Sequence, residues 1–273
     1  MKSKAESFIL LKRKRLWIKI AFMDLKQKVA VITGATGRLG FEITLALAKA
    51  GCHCVCQYHN NLEKAEQIAE QIRKLGQNAL PVKADLTIEE DIKQMFEQAG
   101  GLGTPQILIN SAAVFSRQAL PDVTFEKARS LLDLNLTAAI ITSKYFAKSV
   151  KEKGPPLGET QNKSAGKIIN IADVAGIRPW ADYVLYCSSK AALIGATKSL
   201  AKELAPAICV NALAPGIVTW PDDFDESQKK RQLSFIPLKR IAALDEITAA
   251  VIFLLENDYI TGQVLCIDGG KSI

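Results

Sequence analysis

Tyr186 and Lys190 are four residues apart in YCSSK, so on a helix they share one face. A phenol with a pKa of about 10 is a poor acid–base catalyst at neutral pH. A lysine cation one turn away stabilises the phenolate and brings its pKa closer to neutrality. Asp173 stands thirteen residues before Tyr186 in IINIADVAG. A carboxyl group whose pKa is raised by burial or by a like charge can share a proton with the phenol. Together the three residues make a candidate proton relay.

A second constellation, VITGATGRLG, places Gly34, Gly37 and Gly40 between an apolar run and a helical pattern. A glycine turn there lets backbone N–H groups and a helix N-terminus meet a pyrophosphate, although the same glycines also permit a close strand–helix crossing. The next apolar run ends in Gln57-Tyr58-His59-Asn60-Asn61, with no acid. A site for NAD usually carries Asp or Glu at that point, and a carboxylate would repel a 2′-phosphate. Its absence favours NADPH, and Arg38 in the glycine turn adds positive charge. Asn61 also reads as a helix cap.

The elements that must hold these residues alternate along the chain. Short apolar runs at 28–33, 52–58, 78–85, 106–110, 167–172, 208–214 and 263–268 read as strands, and amphipathic patterns between them read as helices. These include a helix capped by Thr87 and one long helix around 124–152. Continuous apolar strands separated by helices imply a mostly parallel sheet of about seven strands covered on both faces. We therefore expect a single doubly wound, Rossmann-type α/β domain over 23–273. GPPLGETQNKSAG, 154–166, reads as a polar surface loop, and 219–240 sits where a lid over the site is expected.

Residues 1–22 hold seven Lys/Arg and one Glu, whereas the whole chain is +7, so the body carries only +1. A nucleic-acid binder carries its basic stripe on the folded body, which argues against that role. FILL and LWIKIAF are split by KRKR, so a secretory signal is not expected. A membrane-surface helix is one reading of the leader. A disordered tail, or an upstream extension of a frame starting at Met23, is the one we expect. No run approaches the ~20 apolar residues of a membrane span. The six cysteines show no CxxC spacing and only two His are present, so no metal site is expected. Cys52, Cys54 and Cys56 read as buried, reduced side chains, which suits a cytoplasmic protein.

TGxxxxxG, the Asn110-Ser111-Ala112-Ala113 segment, Asn135 in LLDLNLTAA, YxxxK and the Ala214-Pro215-Gly216 turn occur in that order. Together they resemble the short-chain dehydrogenase/reductase family over about residues 24 to 273. The resemblance implies that Tyr186 is the proton donor and that Lys190 grips the nicotinamide ribose. It implies that Asn135 holds a water of the proton relay, and that Asp85 and Leu86 flank the adenine. Gly34, Arg38, Leu39 and Gly40, the Tyr58-His59-Asn60 strand end, Asn110, Ser111 and Ala112 would line the cofactor. Pro215, Gly216 and Ile217 would meet the nicotinamide. A homotetramer built through the helices at 124–152 and 183–205 is implied as well.

Three departures narrow the resemblance. Arg38 replaces the middle glycine of the turn, Val114-Phe115 follow the Asn-Ser-Ala-Ala segment, and Asp173 replaces the family's catalytic serine. These features are similar to pteridine reductases, in which NADPH reduces a dihydropterin or dihydrofolate. Phe115 matches the position whose ring stacks on the pterin, and Arg38, Asp173 and Tyr186 would complete the substrate site. Hydride delivery to a carbonyl leaves an oxyanion, which a serine hydroxyl suits; reduction of a ring C=N leaves a nitrogen to protonate, which an acid suits. Two alternatives stand beside this reading: an NADPH-dependent carbonyl reductase, for which Asp173 is not called for, and a cofactor-binding scaffold without turnover.

Overall fold

The computed structural model describes residues 23–153, 164–220 and 224–273. The basic leader, most of the loop at 154–166 and three residues of the expected lid lie outside them.

Seven strands, β1 (Val29–Thr33), β2 (His53–Tyr58), β3 (Ala79–Lys83), β4 (Pro105–Asn110), β5 (Gly166–Ile171), β6 (Ile208–Pro215) and β7 (Val264–Ile267), form one sheet in the order β3-β2-β1-β4-β5-β6-β7. Every neighbouring pair is parallel. The helices are α1 (Arg38–Lys49), α2 (Leu62–Lys74), α3 (Glu89–Ala99), α4 (Phe125–Leu132), α5 (Ala138–Lys153), α6 (Val184–Leu204), α7 (Glu226–Ser234) and α8 (Leu244–Glu256).

Side chains alternate across a strand, so a run that is apolar throughout must be buried on both faces. Ala30, Ile32, Ile107 and Ile109 pack in one layer with Ile43 and Leu47 of α1 and Leu254 of α8. Val29, Val31 and Leu108 pack in the opposite layer with Met95 of α3 and Phe146 of α5. Cys52, Cys54 and Cys56 all fall in the first layer, reduced and buried, as their alternation implied. Burial pushes the Cys52 and Cys56 thiols up to about 12, so all three remain protonated small hydrophobes.

Two local expectations are corrected. Thr87 does not cap α3: its hydroxyl donates to Asp85 at 2.7 Å, and the position before the helix is Ile88. Thr87 lies one position before the cap, and its hydroxyl is oriented toward Asp85 within the preceding turn. The helix expected over 124–152 is broken by a π-turn, Asp133–Thr137, between α4 and α5. The break falls on Asn135, whose side chain bonds both backbone groups of Val114 in the loop that follows β4. Such turns often mark functional positions.

Among the described residues no helix is long and apolar enough to cross a membrane, and no group of His, Cys, Asp or Glu is placed to hold a metal ion.

Candidate active site

The chain runs from β1 outward to β3, then returns past β1 to β4 and continues the other way. At this switch the loops after β1 and β4 diverge and open a crevice at the carboxyl ends of the strands.

The glycine turn forms one wall. Gly34 has φ +63, a left-handed conformation that glycine adopts without steric cost, and a Cβ there would lie 2.8 Å from Ala112 Cα. A Cβ on Gly40 would collide with the Gly34 carbonyl. Arg38 is the exposed first residue of α1, Leu39 is half-buried beside the core, and α1 has no acid in its first turn. Gln57, buried at the end of β2, fixes the turn: its Oε1 accepts from the Gly34 N–H at 2.7 Å and its Nε2 donates to the Ala84 carbonyl at 2.8 Å. Tyr58 is buried beside it, while His59 and Asn60 are exposed. His59 lies 3.6 Å from Asp85, whose carboxyl is held below its usual range by hydrogen bonds from Thr87.

The other wall follows β4. The Ser111 and Ala112 N–H groups donate to Thr33 Oγ1 at 3.0 and 3.2 Å. Leu86, Asn110, Ala112 and Asn135 share the lining of one small cavity. The Asn110 side chain, however, is turned into the protein: it accepts from Thr142 and donates to Asn170 at 2.8 Å. Asn110 therefore offers the crevice only its backbone. Asn135 Oδ1 accepts from the Val114 N–H at 2.8 Å, and its Nδ2 donates to the Val114 carbonyl and to Ser189 Oγ. Asn135 thus pins the segment leading to Phe115 against α6.

Asp173, Tyr186 and Lys190, from which a proton relay is expected, lie together. Asp173 follows β5 and starts a short 3-10 turn, its Oδ1 accepting from the Ala175 N–H at 2.7 Å. The Tyr186 hydroxyl donates to Asp173 Oδ2 at 2.8 Å. Lys190 Nζ donates to the Ile171 carbonyl at 2.8 Å and sits 5.8 Å from the Tyr186 ring centroid. Gly176 makes the arrangement possible, since a Cβ there would lie 2.7 Å from the α6 backbone at Lys190 and Ala191.

The electrostatics correct one expectation. Burial, and then the Asp173 charge, push the Tyr186 phenol up rather than down. Lys190 gives one N–H to the Ile171 carbonyl, and burial pulls its own pKa down to about 8. Asp173 is raised by burial, against opposing hydrogen bonds and the charges of Lys190 and Lys271. Phenol and carboxyl therefore share one proton, and Lys190 stands behind them.

Facing this pair is an aromatic wall. Phe115, half exposed, stacks on Tyr183 with centroids 5.1 Å apart and meets Tyr186 edge-on at 4.8 Å. Trp180 meets Tyr183 edge-on at 5.7 Å. On the far side, Pro215 ends β6, the Gly216 N–H donates to the Ile267 carbonyl, and Ile217 accepts from Ala242. Sequence reasoning missed Gln57 as a clamp, Gly176, Trp180, Tyr183 and Lys271. Trp180 and Tyr183 were legible as two aromatics in the loop just before Tyr186; Lys271 carried no signal.

The family model for short chain dehydrogenase matches residues 28–232. A 3-oxoacyl-[acyl-carrier-protein] reductase from a Synechocystis species is 31% identical over 252 residues, 90% of this chain and 97% of the relative. Carbonyl reductase family member 4 of Danio rerio is 33% identical over 248 residues, 90% and 98% of the two chains. Among solved structures, a short chain dehydrogenase from Burkholderia cenocepacia in complex with NADP superposes with a TM-score of 0.82 at 28% identity, over 92% of this chain and 100% of that one.

Proposed function

This chain belongs to the short-chain dehydrogenase/reductase family, and we propose that within it the protein reduces a carbonyl group, with Tyr186 as the proton donor. It is an NADPH-dependent oxidoreductase. The crevice suits that cofactor on its own terms: the glycine turn is drawn too tight for a Cβ at Gly34 or Gly40, an open helix N-terminus follows it, and no acid ends β2. In our reading Gly34, Arg38, Leu39 and Gly40 hold the phosphates. Tyr58, His59, Asn60, Asp85 and Leu86 take the adenosine end, and the Asn110–Ala112 backbone, Lys190 and Pro215–Ile217 the nicotinamide end. When bound, the dinucleotide supplies the hydride.

The observation that carries the reading is the 2.8 Å Tyr186–Asp173 hydrogen bond in a buried setting. As charge develops on the substrate oxygen, the Tyr186 O–H passes its proton to it. A phenolate beside an ionised carboxylate is unfavourable, so the pair takes up a replacement proton from solvent, and Asp173, with its raised affinity for protons, can receive it and relay it to the phenol. Asp173 is also compatible with carbonyl chemistry, contrary to the expectation from sequence: a protonated carboxyl presents an O–H, as a serine does. The curated relatives named above are both carbonyl-type reductases, which supports this reading over the C=N alternative. Lys190 holds the Ile171 carbonyl and keeps a positive charge behind Tyr186.

Reduction of a dihydropterin or dihydrofolate is the second reading, favoured by the half-exposed Phe115 ring and by an acid at position 173. Association into a homotetramer through α4–α6 belongs to the same proposal, supported by the fully exposed Phe125 at the start of α4. Sedimentation velocity checks the association. NADPH oxidation by the purified protein, offered a β-ketoacyl thioester, aromatic ketones and dihydrobiopterin, tests the chemistry. Turnover of carbonyls is the expected result, and turnover confined to the pterin would replace the first reading by the second.

A further inference from the structure

Lys271 lies 85 positions beyond Tyr186 in sequence, yet the fold returns it to the active-site end of the sheet. After β7 the chain turns through Gly269 (φ +63) and Gly270 (φ +88), which pack against Ile236, Pro237 and Leu238 just beyond α7. Asp268 holds the turn by accepting from the Gly270 and Ser272 N–H groups. Arg178 donates to the Lys271 carbonyl at 2.9 Å. The loop thereby places the Lys271 ammonium near Trp180 and α7.

The ammonium is buried, with the residue 8% exposed. Its Nζ donates to Gln232 Oε1 of α7 at 3.1 Å and lies 5.2 Å from the Trp180 ring centroid. Among the described residues it makes no ion pair and no second hydrogen bond, so two of its three N–H donors are unspent. Asp173 is near enough to act on its charge, but both carboxyl oxygens are engaged by Ala175 and Tyr186. Arg178 adds a second positive charge that disfavours the ammonium. A buried cation without a counter-ion is costly unless something compensates it. The Trp180 ring face, the Gln232 amide and the charges of Asp173 and Asp268 offset part of that cost, but among the described residues no carboxylate pairs with the ammonium, which borders the aromatic wall and the acid pair.

We propose that Lys271 is a specificity-determining residue of the substrate site, whose unspent ammonium donors take an anionic oxygen group, a carboxylate or a phosphate, on the substrate. This rests on the carbonyl-reductase reading for the reaction, though not for the binding of the anion. An ammonium is a compact point charge, so it recognises charge more than shape. Trp180 and Phe115, set edge to face with centroids 6.5 Å apart, supply an apolar aromatic corner for the remainder of the molecule, which makes an aromatic keto acid a suitable probe.

The test compares benzoylformate with its neutral methyl ester, in the wild-type protein and in Lys271→Met and Lys271→Arg. The wild type is expected to prefer the acid in kcat/KM. Lys271→Met should lower the acid-to-ester ratio by about tenfold or more, chiefly through KM, and Lys271→Arg should keep most of it. A structural role would lower both substrates together and leave the ratio where it was. That result, or a wild type without preference for the acid, overturns the proposal. If neither compound is reduced, the carbonyl reading fails on its own, and binding decides the anion site. Benzoate and inorganic phosphate are then titrated against thermal stability and tryptophan fluorescence. Stabilisation by either ion in the wild type and Lys271→Arg, lost in Lys271→Met, upholds the site and tells the two anion classes apart. Absence of any such difference overturns it.

Discussion

Tyr186 and Asp173 are joined by a 2.8 Å hydrogen bond in which the phenol is the donor. The lysine one turn along the helix, by contrast, gives its own hydrogen bond to the Ile171 carbonyl. The acid–base unit we propose is thus a phenol–carboxyl pair backed by a buried cation. Tyr186→Phe removes the only proton the pair can give to substrate, and we expect NADPH turnover to fall by roughly 10²–10⁴-fold while cofactor binding, followed by NADPH fluorescence, persists.

Replacement of Asp173 separates the two candidate chemistries. Asp173→Ser keeps an O–H beside the phenol, so carbonyl reduction should survive to within about tenfold. Asp173→Ala removes it and should cost roughly 10²-fold. If reduction of a C=N bond is the true reaction, serine should be as damaging as alanine. Steady-state kinetics on both variants decides between them.

Lys190 gives a pH signature. Burial lowers its pKa from 10.5 to about 8, so between those values the unfolded chain binds the proton that the native protein has lost. Below pH 8 the charged, buried ammonium costs the fold about 3 kcal/mol, and this cost fades as pH rises toward 10.5. Urea unfolding should show the stability gap between Lys190→Met and wild type narrowing over that range, with the variant the more stable at pH 7. Activity should run the other way, with wild-type kcat/KM declining as pH passes through about 8.

Gly176→Ala should act at a distance from substrate. Its added methyl would meet the α6 backbone at 2.7 Å and push the 3-10 turn that begins at Asp173 away from Tyr186. A loss of about 1–3 kcal/mol in stability is expected, together with a fall in kcat larger than any change in KM for NADPH. Equal loss in both parameters would mean that the turn does not set the acid pair.

Gln57→Leu tests the cofactor side. It would strip the Gly34 N–H and the Ala84 carbonyl of their shared partner, at a cost of about 1–3 kcal/mol. The glycine turn would loosen, and KM for NADPH should rise while turnover at saturating NADPH changes little.

The sheet could be read from the sequence because each strand is a bounded apolar run, and alternation then assigned Cys52, Cys54 and Cys56 to one layer. Tyr186 and Lys190 were legible because their spacing is one helical turn, and the glycine turn because it joins a strand to a helix. What stayed hidden was set by contacts between distant segments. Asn110 reads as a cofactor residue, yet Thr142 and Asn170 draw its side chain inward. Asn135 interrupts what reads as one continuous helix because it reaches Val114 and Ser189. The direction of the Tyr186 shift depends on burial and on an acid thirteen residues away. Lys271 belongs to the site only through the path of the chain after β7.

The strand order also has a bearing on assembly during synthesis. β1, β2 and β3 are neighbours made in succession, so the Gln57 clamp on the glycine turn joins segments that are synthesised close together. The acid pair cannot exist until β5 has docked against β4 and α6 has packed behind it, and Lys271 arrives after all of these. The residues of the dinucleotide wall are therefore synthesised well before those of the chemistry, and the reactive half is the last part of the crevice to be completed.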